Sequence, residues 1–257
     1  MKAPQVGFTL VEMLVAMLIA LFLTIGLVTI LQSNRATYTS QTALSQLQDN
    51  QRLAMTMLND VVQQAGYYPD PTTNTSAATL PAITIGSGTP VAGAMQGLQT
   101  VAGVYQSADP GDSVAVRYAT NSGDGILLCD GTANTSGAVN TYVNTFSVNG
   151  SGQLVCQISV GAAAASTART LVSGIKRLNI MYGVKRNFAS ANNNVDTYVR
   201  ADQMNSADWL NVSSVKIAIV FLNPMATNPK GVANPGQPAT FTFQRIIAVM
   251  NRTGITS

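Results

Sequence analysis

The chain has 257 residues, 46% hydrophobic and only 10% charged, with a formal net charge of +3 and no histidine. That balance is too weak to make nucleic acid or acidic lipid a main partner, so no nucleic acid is expected. Without histidine, the common nucleophile–base triads and histidine-ligated metal sites are absent, and no motif sets a serine beside Lys176, Lys185 or Lys216. No enzymatic activity, cofactor or metal is therefore expected.

The first element is apolar. Phe8 to Leu31 carries a single charge, Glu12, which is also the only glutamate in the chain. A helix over this stretch, at 1.5 Å per residue, is long enough to cross a bilayer core of roughly 30 Å. A carboxylate inside hydrocarbon costs roughly 2.5–3.5 kcal/mol on insertion scales, which makes Glu12 a functional candidate in want of a cationic partner. Beyond Gln32 the apolar positions Leu44, Leu47, Ala54, Leu58, Val61 and Ala65 recur at three- and four-residue steps. Arg35, Gln41, Asp49, Arg52 and Asp60 lie mostly off that face. No proline interrupts Phe8 to Tyr68, and Gly66 followed by Tyr67-Tyr68-Pro69 provides a C-terminal stop. The pattern predicts one long helix: an apolar half over 8–31 and an amphipathic half over 32–68.

Residues 69–112 are rich in Thr, Ser, Gly, Ala and Pro and read as long loops with a short strand such as Ala82–Ile85. Strands are then expected at Ser113–Tyr118, Gly125–Cys129, Gln153–Ile158, Lys176–Lys185, Val212–Leu222 and Thr240–Met250, where apolar residues alternate or run together. The gaps 130–152, 159–168, 186–211 and 223–239 are expected to be loops, the last because it holds four prolines. A long helix followed by strands predicts an α+β fold, with an antiparallel sheet packed on the second half of the helix and a β-rich domain over 69–257. Asp109-Pro110-Gly111-Asp112 and Asn121-Ser122-Gly123-Asp124-Gly125 have oxygens for calcium but not the EF-hand spacing, and turn chemistry explains both. Lys176-Arg177 and Lys185-Arg186 read as solvated strand ends rather than a DNA site.

Gly7-Phe8-Thr9-Leu10-Val11-Glu12, followed by an apolar helix, resembles the processing site of type IV prepilins and type II secretion pseudopilins. The resemblance implies a leader over 1–7 cut by a membrane prepilin peptidase after Gly7. It implies N-methylation of Phe8, and Glu12 as the carboxylate that guides docking onto the growing filament. A secretory signal peptide fits poorly, because the apolar run exceeds a 7–15-residue core. A plain signal anchor fits the length but explains neither Glu12 nor the glycine before phenylalanine.

Leu53 to Tyr67, Asp112–Tyr118, Leu178–Val184, Val215–Leu222 and Asn251-Arg252 resemble, more loosely, the PilW group of minor pilins and the related J-type pseudopilins. What this implies is a structural role. The chain would join sister minor pilins in the inner membrane, prime assembly with the major pilin, and end at or near the fibre tip below a large adhesin. Two alternatives stay open: a type II secretion pseudopilin, and a membrane-anchored periplasmic binding domain using the 69–112 or 186–211 loops. The anchor would send the domain into an oxidising compartment. A Cys129–Cys156 disulfide is then expected, with two separate buried thiols as the alternative.

Overall fold

In a computed structural model, the described residues are 7, 9–70, 72, 95–98 (backbone only), 111–161, 163–187, 189, 194–227 and 232–250. The expected strand Ala82–Ile85, most of the 69–112 loops, Phe8, most of the leader and Asn251-Arg252 lie outside them. The chain divides into two units, residues 1–46 and 47–257.

The helix is continuous in sequence from Leu10 to Gln63 (α1). Its first part, in the first unit, is exposed throughout the apolar run. In the second unit Leu47, Ala54, Met55, Leu58, Val61 and Val62 of the same helix are buried. The three- and four-residue spacing foretold this face, although Leu44 is only half-buried and Met55 and Val62 widen the stripe. After Gln63 the chain turns, and Gly66 adopts φ 78°, the left-handed conformation that glycine enters without a Cβ penalty. The Gly66 N–H donates to the Arg117 carbonyl at 2.8 Å, and the Ala119 N–H donates to the Tyr67 carbonyl at 2.8 Å. These bonds tie the end of α1 to the strand Ser113–Thr120.

Two antiparallel sheets complete the second unit. The first runs in the order β1 (Met95–Leu98), β2 (Ser113–Thr120), β3 (Asn140–Val148), β4 (Gln153–Val160), β5 (Arg169–Ser173). The second contains β6 (Ile175–Val184), β7 (Thr197–Val199), β8 (Ser214–Leu222) and β9 (Thr240–Ala248) in the order β7-β6-β8-β9. A short helix, α2 (Ser206–Leu210), precedes β8. Leu58, Val116, Tyr118, Phe146, Leu154, Leu178, Ile180, Tyr182, Ile217 and Ile219 belong to one buried cluster drawn from α1 and both sheets. At roughly 25 cal/mol per Å² of apolar surface removed from water, this cluster is the main term holding the unit together.

Several expectations need correction. The fold is α+β with a long N-terminal helix, but with two sheets rather than one. Gly125–Cys129 is not a strand. It is loop with one isolated bridge, Leu127 to Ala133. The expected loop 130–152 contains β3, whose Tyr142, Phe146 and Val148 face the core alongside the buried polar Asn144. β5 follows the expected gap 159–168, and the gap 186–211 contains β7, a 3-10 turn and α2.

Candidate assembly site

The N-terminus of α1 shows how the carboxylate of Glu12 is placed. Thr9 precedes the first helical residue, and its Oγ1 accepts from the Glu12 backbone N–H at 3.4 Å. The Thr9 carbonyl accepts from the N–H groups of Glu12 and Met13 at 3.1 and 3.2 Å. Thr9-Leu10-Val11-Glu12 thus has the spacing of a capping box, a local signal that the sequence reading did not use. An acid in the first turn also sits favourably at the positive end of the helix dipole. Among the described residues, no side chain or backbone group reaches the Glu12 carboxylate. It is exposed, as are Leu10, Val11, Met13 and the apolar residues that follow as far as Leu31. Thr24 and Thr29 return their hydroxyls to the Leu21 and Ile25 carbonyls at 2.9 Å, so they add no unsatisfied donor to the apolar surface. Leu10–Gln63 is long and apolar enough in its first part to cross a membrane.

Gly7 is exposed. A Cβ built there meets nothing within 4 Å, and its φ lies outside the left-handed range. The described residues therefore make no demand for glycine at that position. Gly26, also in open space, is equally undemanding.

In the second unit Cys129 and Cys156 are joined, with Cα atoms 6.0 Å apart. The bridge joins a strand to a loop rather than two strands. Cys156 lies on β4, whereas Cys129 lies in the 121–139 loop, where its N–H donates to Asn144 Oδ1 of β3 at 2.9 Å. The loop is further fixed by Tyr118, whose hydroxyl donates to the Leu127 carbonyl at 2.8 Å. Burial pushes the Tyr118 phenol above its ordinary pKa, so it stays a donor. Asn134 is fully buried: its Nδ2 donates to the Thr120 and Ala138 carbonyls at 2.8 Å each, and its Oδ1 accepts from Ser136 and from Tyr142. Asp124 accepts from the N–H groups of Asn121 and Ile126, so the Asn121–Gly125 run is a turn held by its own carboxylate. A cavity of about 680 Å³ opens between the Leu53–Tyr67 stretch and the Gly125–Gly131 loop, with Leu53, Met57, Leu127, Leu128 and Met250 among its apolar lining and Asp60 its carboxylate.

Of the basic residues at the ends of β6, Arg186 is not simply solvated. Arg186 donates through Nη2 to Asp208 Oδ2 at 2.6 Å and to the Gln203 carbonyl at 2.9 Å. Its backbone N–H bonds Asp196, which also accepts from Asn187 and Thr197. Asp208 in turn closes the capping box of α2 with Asn205. The Arg186 bond holds the Asp208 carboxyl below its ordinary pKa against the opposing effect of burial. Trp209 is buried edge-on to Tyr182 at 4.8 Å, while Phe241 and Phe243 are half-buried.

Residues 140–247 match the PilW family, type IV pilus-assembly protein W. The match supports a PilW-type pilus protein and indicates involvement in type IV pilus assembly. It begins at the first residue of β3 and stops one residue short of the end of β9, so both sheets contribute to it and α1 lies outside. No curated protein matches the chain. A pilus family together with an N-terminal helix that can anchor in a membrane points to the cell envelope and to other pilus components as partners.

Proposed function

We propose that the chain is a minor pilin. Prepilin peptidase cuts between Gly7 and Phe8 and the new Phe8 amine is methylated. The mature chain, anchored in the inner membrane, joins sister minor pilins to prime assembly of the major pilin. It then resides at or near the fibre tip, where a large adhesin would sit above it. The observation that carries this reading is Glu12: the one charge in the exposed apolar run of the helix, with no partner of its own among the described residues. Buried alone in lipid it is costly. Beside the α-amino group of a neighbour's first residue, which is protonated near neutral pH, the penalty is offset. The same pairing draws the helix out of lipid into a bundle of like helices. Gly7 is compatible with the processing step, since the described fold does not need a glycine there.

The domains follow from this reading: leader 1–7, assembly half 8–31, amphipathic half 32–68 and exported domain 69–257. Glu12→Ala should leave cleavage intact and reduce incorporation into sheared fibres. Gly7→Leu should leave full-length precursor in the membrane. Normal fibre incorporation in the first variant, with normal cleavage in the second, would refute the proposal. The binding-domain alternative gains nothing from the described cavity, which lies at α1 and the 125–131 loop rather than in the 69–112 or 186–211 loops.

A further inference from the structure

Among the described residues, β9 is an edge strand. It pairs with β8 through nine consecutive residues with no register shift, and no strand among the described residues flanks its other side. β8 buries Val215, Ile217, Ile219 and Phe221 almost completely, but β9 buries only Ile247. Ile246 is 57% exposed. Proteins ordinarily blunt such an edge with charge, proline, a bulge or a covering element; β9 carries a single charge, Arg245, and neither a proline nor a bulge.

The hydrogen-bond phase decides which groups face outward. The Val249 N–H donates to the Ser213 carbonyl at 2.9 Å, and the Asn223 N–H donates to the Ala239 carbonyl at 3.0 Å. In an antiparallel ladder bonded pairs alternate, so the odd-numbered residues of β9 spend their backbone groups on β8. The N–H and C=O groups of Thr240, Thr242, Gln244, Ile246 and Ala248 therefore point off the edge of the sheet.

We propose that this edge is closed by a second copy of the chain, with β9 pairing antiparallel to β9 of the other copy about a twofold axis at Gln244. This register keeps the outward-facing groups in phase along the full length of the strand. Every outward-facing residue then meets another outward-facing residue: Gln244 its own counterpart, Thr242 the second copy's Ile246, Thr240 the second copy's Ala248. A one-residue slip would set outward groups against residues already bonded to β8. Arg245, exposed and the only charge in β9, meets Phe243 of the other copy in place of another arginine. A guanidinium over an aromatic face is favourable, whereas like charges directly opposite are not. Phe241 and Ile247, on the same face as Arg245, also meet across the seam. The pairing does not depend on the minor-pilin reading.

The test uses the full-length protein in its membrane. Both native cysteines are joined to each other, so an introduced cysteine is the free thiol. Under mild oxidation Gln244→Cys should give a covalent dimer of the chain. Thr242→Cys and Ile246→Cys should each give none alone but should cross-link when co-expressed. Ile246→Pro removes an N–H that β8 does not use, so Ile246→Pro added to Gln244→Cys should keep the melting temperature and lose the dimer. No Gln244→Cys dimer, equal cross-linking of all single variants, a cross-link to a different protein, or a dimer that survives Ile246→Pro would each overturn the proposal.

Discussion

Replacing both Cys129 and Cys156 with serine tests how the 121–139 loop is held. The two residues are 27 apart in sequence. In the chain-entropy model, cross-linking a loop of that length lowers the unfolded-state entropy by about 12 cal/mol/K, or about 3.5 kcal/mol of stability at 25 °C. The folded state keeps other restraints on this loop. The Cys129 N–H still meets Asn144, Tyr118 still holds Leu127, and the Asn134 network does not involve sulfur. The loss should therefore fall mostly on the unfolded state, with the fold kept. For a domain of about 190 residues, roughly 2–4 °C per kcal/mol converts this to a drop in melting temperature of about 7–14 °C. Differential scanning calorimetry of the detergent-solubilised chain, native against the double serine variant, measures it. Both samples should show the same far-UV circular dichroism at 20 °C. A drop of under about 3 °C would show that the loop is already ordered in the unfolded ensemble, and would refute the entropy argument.

Leu58→Ala should cost about 3–5 kcal/mol, because Leu58 is fully buried where the amphipathic half of α1 meets the core, and denaturant titration would show it. Gly111→Ala should destabilise by about 2 kcal/mol or more, since Gly111 has φ 98° and an added Cβ would collide with the Leu178 carbonyl; a melting temperature equal to the native value would contradict that geometry. Asp208 has a folded-state pKa below its ordinary value, so its contribution is present above the unfolded carboxylate pKa and lost as pH falls through the folded one. Stability measured from pH 5 down to pH 2 should fall less steeply in Asp208→Asn than in the native chain, with the variant already weaker at pH 7.

What the sequence made legible was governed by period and by special residues. The 3.6-residue spacing from Leu47 to Ala65 gave the buried face of α1, and Gly66 before Pro69 marked its end. The alternation Leu178, Ile180, Tyr182, Val184 gave β6, and Val215, Ile217, Ile219, Phe221 gave β8. β3 was not legible because Asn144 occupies a core-facing position between Tyr142 and Phe146, where its side chain caps the Cys129 N–H across the sheet. A long-range bond of that kind leaves no local mark. The second sheet was hidden because alternation marks a strand but not the sheet it joins, and the pattern alone leaves every strand in one sheet. Gly174, at φ 84°, turns the chain from β5 of one sheet to β6 of the other. The Cys129 strand was an over-reading of an apolar run, Ile126-Leu127-Leu128, that is held by turn and disulfide rather than by a ladder. At the assembly site, Glu12 stood out as a charge in an apolar run, but the Thr9 cap that seats it did not, since threonine before a helix is common.

The most direct test of the minor-pilin account is the N-terminal peptide of the native protein, read by mass spectrometry in sheared surface fibres and in the inner membrane of the host. The account predicts a peptide that begins at Phe8, carries one added methyl group and appears in the fibre fraction with the major pilin. An intact Met1–Gly7 leader in both fractions would contradict it.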